Sequence, residues 1–171
     1  MSNFPSVIAE AVNEKLNTVN HATDNPLVWR IAKKVGSAYT GGSANTHGDY
    51  DGTGMPYALF TVTGDVVVKA IWGVVNTDLA GATATIEVGV AGNTAGLIAQ
   101  ETCTDLDDGG IYTSATNAVG VAAVAGSGAL YAVNDGADII ETLGTANVTA
   151  GQIDWYCVWA PAEPGASLVA A

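Results

Sequence analysis

The sequence predicts an all-β fold, an antiparallel β-sandwich or jelly-roll-like barrel of about seven or eight strands. Apolar and polar residues alternate strictly from Thr83 to Val90, which is the pattern of a half-buried strand. Other short apolar runs are separated by Gly, Asn and Asp at spacings of about 8 to 12 residues. The 171 residues are 49% hydrophobic and 13% charged, which predicts a domain with a real core rather than a disordered chain.

Charge is distributed unevenly along the chain. The net charge of −12 argues against direct nucleic-acid binding, because phosphate contacts need a basic patch. No apolar run approaches the roughly 18 residues that span a bilayer, and the N-terminus does not resemble a signal peptide. The five basic residues all lie in the first 69 positions: Lys15, Arg30, Lys33, Lys34 and Lys69. We therefore expect a negative surface on the later part and an N-terminal region that meets acidic partners.

The first segment with periodicity predicts one short amphipathic helix over residues 5–17. Pro5 suits a helix start, and apolar residues recur four apart at Ile8, Val12 and Leu16. A helix of this length is not stable alone, so it must dock on other protein. Packing on its own β domain is favoured, and docking on another subunit is the alternative.

Residues 1–54 are predicted to form an N-terminal arm, and residues 55–171 the β-sandwich domain. Within the arm, residues 27–32 read as one strand or as an extended segment. The Gly-rich stretch 37–54 shows no hydrophobic periodicity and is expected to be an exposed excursion.

Within the second region, strand-like runs follow one another in order. Residues 66–74 and 83–90 are expected to be two antiparallel strands joined by a loop at 76–81, which is rich in turn formers. The apolar end of the chain, 167–171, is expected to be a tail after Pro161 and Pro164. The remaining predicted strands cover residues 95–104, 119–124, 129–133, 139–143 and 152–160.

Two cysteines, Cys103 and Cys157, lie in strand-like surroundings. Without a signal peptide they are expected to stay free as buried thiols in a reducing cytosol. A disulfide between them requires that their strands be neighbours, and the sequence leaves that open.

Two groups of acidic residues suggest a metal site. They are Asp105, Asp107 and Asp108, and Asp49 and Asp51 beside His47. The first fails the EF-hand pattern, because Thr116 stands where the acidic ligand at loop position 12 belongs. A solvated turn and a mobile loop are the favoured interpretations, so no metal or cofactor is predicted.

The sequence offers little support for catalysis. It contains no G-x-S-x-G motif, and no Gly pair precedes a Lys as a phosphate loop requires. Asp pairs suited to a hydrolase occur in any Asp-rich β protein. Trp72, Trp155 and Trp159 could line a sugar groove, but each lies on the apolar side of its strand, where core packing is favoured.

Three stretches resemble small virion proteins of tailed bacteriophages, the head decoration (cement) or auxiliary capsid proteins. They are TATIEVGVAGNTAGLIAQET at 83–102, DLDDGGIYT at 105–113 and NVTAGQIDWYCVWAP at 147–161. The resemblance implies a non-enzymatic β domain on the outer surface of the phage head, made in the host cytoplasm. There it would bind the major capsid protein, often as a homotrimer, and stabilise the capsid by bridging subunits.

On this interpretation the arm contacts the capsid, although the β domain remains an alternative for the main contact. The expected contact residues are Ile8, Val12, Lys15, Leu16, Trp29, Arg30, Lys33 and Lys34. A different class of function, a receptor- or carbohydrate-binding module of a head or tail fibre, is the alternative.

Overall fold

A computed structural model describes residues 28–42, 45–51, 55–113, 118–119 and 130–171. Over these residues the regular structure is β apart from a one-turn 3-10 helix at Cys103–Asp105. The predicted all-β sandwich is confirmed. The helix predicted over 5–17 lies outside the described residues, and the described part contains no helix long and apolar enough to cross a membrane.

Eleven strands follow one another within the described residues. They are β1 (Arg30–Lys34), β2 (Tyr57–Thr63), β3 (Val66–Ala80), β4 (Thr85–Val90), β5 (Asn93–Thr102), β6 (Gly110–Thr113), β7 (Ala118–Val119), β8 (Tyr131–Val133), β9 (Ile139–Gly144), β10 (Ala150–Pro161) and β11 (Ser167–Ala170).

The strands form two antiparallel sheets. Sheet A has the order β1-β10-β3-β6-β7, and β8 also pairs with β3. Sheet B has the order β11-β2-β9-β4-β5. The longest ladder joins β10 to β3, from Ala150 opposite Ala80 to Pro161 opposite Val66.

The sheets differ from the predicted arrangement in three places. β3 and β4 were expected to be two antiparallel strands of one wall, but they belong to different sheets, and residues 81–84 cross between the sheets. The expected loop at 76–81 is mostly strand, because Thr77 pairs with Gln152 and ladder pairing outweighs local turn preference. The C-terminal tail is strand β11, which pairs with β2.

The core lies between the sheets and is filled by large side chains. Trp155, Phe60 and Tyr112 are each at most 1% exposed. The Tyr112 hydroxyl lies 2.7 Å from the Ile86 carbonyl oxygen and 2.8 Å from that of Ala99, so it joins β6 of sheet A to sheet B. Burial, followed by the nearby Glu141 carboxylate, raises the pKa of Tyr112, which keeps this hydroxyl a neutral donor.

The Gly-rich stretch is not the exposed excursion that its composition predicts. Its described residues pack on the connection between β9 and β10: the Gly41 N–H donates to the Val148 carbonyl, and the Val148 N–H donates to the Gly48 carbonyl. A Cβ at Gly41 would lie 2.2 Å from the Gly48 oxygen, and Gly48 has a φ of 107°. Glycine is therefore used here for close approach and left-handed backbone rather than for mobility.

Candidate interaction surface

The two outer faces of the sandwich have opposite character. Sheet B presents Thr61, Thr85, Glu87 and Thr142 outwards, with Val169 on β11 as its exposed large apolar side chain, so its outer face is mainly polar. The outer face of sheet A is apolar and aromatic. We call it the apolar face and define it by Trp29, Ile31, Val35, Trp72, Val74, Tyr156 and Val158.

A β-bulge in β3 places Trp72 and Val74 on this outer face. Along β3, Val66 and Val68 point into the core, and the same alternation would carry Trp72 inwards too. However, Val158 pairs with Ala70 and Trp159 with Val68, so Lys69 is an extra residue in the ladder. The extra residue reverses the alternation beyond it.

Trp72 therefore lies on the outer face, opposite Tyr156 in the ladder, instead of in the core as its sequence environment predicts. The two rings are stacked with centroids 5.4 Å apart and an interplanar angle of 8°. The predicted core packing is confirmed for Trp155 and Trp159, which are 1% and 5% exposed. The aromatic pair gives the middle of the apolar face a flat, rigid patch.

Edge strand β1 provides the most exposed part of the apolar face. Ile31 is 70% exposed and Val35 is 65% exposed, and Trp29 just before the strand is 41% exposed. Exposed apolar side chains are ordinary when they are scattered, but here they continue into the Trp72–Tyr156 pair. Contiguous exposed apolar patches of this kind are typical of interaction sites.

Two lysines stand at the apolar face. Lys33 Nζ lies 5.1 Å from the centre of the Tyr156 ring, and Lys69 Nζ lies 5.3 Å from that of Trp29. Cation–π contact of this kind holds each ammonium group over an aromatic ring of the face. The face is thus apolar with a positive rim on an otherwise acidic chain.

Asp154 is the acidic member of the same face. Its carboxylate lies 3.0 Å from Lys33 Nζ and accepts the Gly36 N–H at 2.9 Å. Burial acts to raise the pKa of Asp154, but the Gly36 N–H and Lys33 outweigh it and lower the pKa. The contacts with Tyr156 and Asp154 raise the pKa of Lys33, so both groups are charged at neutral pH.

The structure separates the basic residues that the sequence places in one contact set. Trp29 and Lys33 lie on the apolar face, but Arg30 and Lys34 alternate to the inner side of β1. Arg30 lies over the Trp159 ring and Lys34 over the Tyr57 ring, and Lys34 donates to the Ala171 carbonyl. Period-two alternation separates them, as it does in any strand. The four other members, Ile8, Val12, Lys15 and Leu16, lie outside the described residues.

Sequence reasoning missed a buried acid. Glu141, in the middle of β9, is 0% exposed, and its Oε1 lies 3.3 Å from Nε2 of His47. The His47 ring is stacked between Tyr39 and Tyr57, with ring centres 4.2 and 4.0 Å away. The signal in the sequence was the alternation of Ile139, Glu141 and Leu143, which puts Glu141 on a core-facing side.

This cluster is enclosed, with Glu141 fully buried and His47 nearly so. The His47 side chain is only 10% exposed. The loop around it is therefore packed, whereas the sequence predicted a mobile loop. Burial, followed by Glu141, raises the pKa of Tyr39 far above its usual value and that of Cys103 to about 12.

The other candidate chemical groups do not converge. In the described part of the chain, no three His, Cys, Asp or Glu side chains are placed to hold a metal ion. In the acidic loop, the Asp107 carbonyl accepts the Gly110 N–H, and the Asp108 N–H donates to Asp78 at 2.6 Å. Cys103 and Cys157 are buried and free.

A cleft of about 290 Å³ lies between the β4–β5 hairpin and β8. Its lining includes Val90, Asn93, Leu97 and Tyr131, and its described residues contribute no carboxylate, imidazole, thiol or amine. The Asn93 amide and the Tyr131 phenol are the polar side chains among its described lining residues.

The chain matches no protein-family model, and it is similar to no curated protein and to no solved structure.

Proposed function

We propose that this chain is a non-enzymatic structural protein of a phage particle that binds the outer surface of the capsid and stabilises it by bridging shell subunits. The observation that supports this is the apolar face, a sheet surface lined with aromatic and aliphatic side chains and opposite to a polar one. The sequence resemblance to decoration proteins supplies the biological setting. The major capsid protein is the proposed partner.

The composition of the apolar face supports protein binding. Protein interfaces are enriched in Tyr, Trp and aliphatic side chains at their centre and have a polar rim. Here Trp72 and Tyr156 occupy the centre, Lys33 lies over the Tyr156 ring, and Lys69 lies over the Trp29 ring. The rim lysines fit a shell surface that carries carboxylates, and complementary charge of this kind selects the partner and its register.

The rest of the chain supports an exposed position on the particle. From residue 70 onward the chain has no Lys or Arg. The charged side chains on the polar face of sheet B and its loops are therefore all acidic, and they repel other acidic particles. A homotrimer would multiply modest contacts on a symmetric shell. We propose that arm residues Ile8, Val12, Lys15 and Leu16 extend the contact from Trp29 and Lys33.

The test is binding to expanded empty heads. The wild-type chain should cosediment with heads at a saturating ratio that matches capsid symmetry, and loaded heads should resist heating better than bare heads. Val35→Asp should weaken binding by about tenfold, because a carboxylate is then buried in an apolar contact. Val169→Asp, on β11 of sheet B, is the matched control, since Val169 is also exposed, at 54%.

Two results would overturn the proposal. One is a wild-type chain that does not bind heads from its own phage. The other is equal binding by the Val35→Asp and Val169→Asp variants, which would show that the apolar face does not contact the capsid.

A second candidate function, glycan binding, has one observation in its favour. The nearly coplanar rings of Trp72 and Tyr156 form a flat aromatic platform on the surface of sheet A. A receptor-binding module would use it to stack a sugar ring. Saturable quenching of tryptophan fluorescence by cell-surface glycans, lost in Trp72→Ala, would favour this function over capsid binding.

A further inference from the structure

We propose that the partner of the apolar face adds an extended strand to the outer edge of β1, and that this strand carries a carboxylate between two apolar side chains. In edge-strand addition, main-chain hydrogen bonds supply affinity and alternate side chains supply specificity. That the partner is the major capsid protein rests on the function proposed above.

The outer edge of β1 is open in the described part of the chain. There, β1 is the terminal strand of sheet A and pairs with β10 alone. In an antiparallel pair, every second residue directs its N–H and C=O towards the neighbouring strand, and the residues between direct theirs away. β1 therefore offers a row of main-chain donors and acceptors to an incoming strand.

The edge of β1 is also regular, which favours pairing with an incoming strand. All five residues of β1 pair with β10 without a register shift. By contrast, edge strand β5 of sheet B has two shifts in its ladder with β4, and β7 at the other end of sheet A spans two residues. Bulges and very short strands are devices that discourage pairing at an edge, and β1 has neither.

The side chains on the outer face of β1 set the pattern that a partner needs. Ile31 and Val35 are the most exposed large apolar side chains of the described residues, and Lys33 lies between them. Side chains of paired strands lie opposite each other, so a partner strand would place apolar groups at Ile31 and Val35 and an acidic group at Lys33. Strand β11, the regular edge of sheet B, lacks this pattern because its residues SLVA include no charge.

Lys33 has capacity for a second carboxylate. Its ammonium group has three N–H donors and lies 3.0 Å from Asp154 Oδ2. The contacts with Tyr156 and Asp154 raise the pKa of Lys33, so the group remains charged. Because 44% of the Lys33 side chain is exposed, a carboxylate approaching from the edge can reach the remaining donors.

A second copy of the chain fits this edge less well than an acidic segment of another protein. Two paired β1 strands would each bring Lys33 to the same outer face, and like charges there oppose pairing. Each copy also has a net charge of −12, which opposes approach over longer distances. A partner strand with a carboxylate meets Lys33 without adding a second lysine to the face.

Hydrogen exchange at single-residue resolution tests the strand addition on the full-length chain, free and bound to expanded empty heads. In the free chain, the amides of β1 that point to β10 should be protected, and those that point away should exchange fast. Head binding should slow the outward amides of residues 31–35 by about tenfold or more. The amides of β11 are the internal control and should not change.

Charge reversal at the edge tests the acidic group of the partner. Lys33→Glu should weaken head binding by about tenfold. Lys33→Met removes the charge without a new repulsion from Asp154, so it keeps the proposal testable if Lys33→Glu does not fold. Lys69→Glu is the matched control and should cost less, because Lys69 lies on β3, two strands and about 10 Å from β1. Equal losses in Lys33→Glu and Lys69→Glu would place the partner over the face and overturn pairing at the edge.

A short peptide separates the edge from the identity of the partner. The peptide TVTETVT presents two valines and a glutamate on one side, and it should slow the same outward amides, whereas TVTKTVT should not. Peptide protection without head binding would keep the edge and overturn the proposed function, and heads that bind while these amides stay fast would do the reverse. Outward amides that stay fast with both peptide and heads, or that are already slow in the free chain, overturn the strand addition.

Discussion

His47 Nε2 lies 3.3 Å from Glu141 Oε1, and this contact joins the Gly-rich loop to the middle strand of sheet B. Glu141 is 0% exposed and stands directly opposite Tyr57 in the β2–β9 ladder. Tyr57 and Tyr39 enclose the imidazole between their rings. A loop that lacks hydrophobic periodicity is thus held by the buried carboxyl group of Glu141 and two aromatic rings.

His47→Ala should lower the free energy of unfolding by about 3 kcal/mol, because it leaves a buried carboxylate without its partner. Urea unfolding followed by tryptophan fluorescence measures the change. The double variant His47→Ala with Glu141→Gln should lose less than the sum of the two single variants, since the amide carries no charge. Strict additivity would show that the two side chains do not interact.

Asp154→Asn should lower the free energy of unfolding by about 1–2 kcal/mol at neutral pH, because Asp154 accepts the Gly36 N–H as a charged group. The pKa of Asp154 is lowered in the folded chain. Its contribution is therefore fully present above the ordinary Asp pKa of about 3.9 and is lost as the pH falls through the lower folded value.

The difference between wild type and Asp154→Asn should accordingly be constant from about pH 5 to 8 and shrink towards pH 2. Denaturant unfolding at a series of pH values measures it. A difference that grew on acidification would have the wrong sign for a lowered pKa.

The two cysteines should react slowly with thiol reagents in the folded chain. Burial raises the pKa of both Cys103 and Cys157 to about 12, with Glu141 adding to the effect at Cys103, and the thiolate is the reactive form. Labelling with a disulfide reagent at pH 8 should modify both thiols only after denaturation. Thr63→Cys, at an exposed position, is the control that should react at once; fast modification of either native cysteine would contradict its burial.

Tyr112→Phe should lower the free energy of unfolding by about 1 kcal/mol. The substitution removes the hydroxyl that lies within hydrogen-bond distance of the Ile86 and Ala99 carbonyls but keeps the ring that packs edge-on against Trp155. Tyr131→Phe, on a partly exposed ring, provides the comparison and should change stability less. If both variants lost the same free energy of unfolding, the contact of the Tyr112 hydroxyl with sheet B would not be the cause of the loss.

Much of the fold follows from local pattern. The alternation at 83–90 and around Ile139 predicts β4 and β9, and that at 152–160 predicts β10 with Trp155 and Trp159 inside. These patterns are readable because a strand with one buried face must place apolar side chains at every second position. The uneven distribution of basic residues is also a property of sequence alone, and it predicts that acidic partners meet the N-terminal region.

Tertiary structure decided the rest. Lys69 is an extra residue only in relation to β10, so neither the bulge nor the outward position of Trp72 is visible until the two strands are paired. Likewise His47 and Glu141 are 94 residues apart, and their contact exists because the loop packs on the β9–β10 connection. Alternation along a strand is a local property set by backbone geometry, whereas register and long-range contact depend on which segments meet, and only the folded chain specifies that.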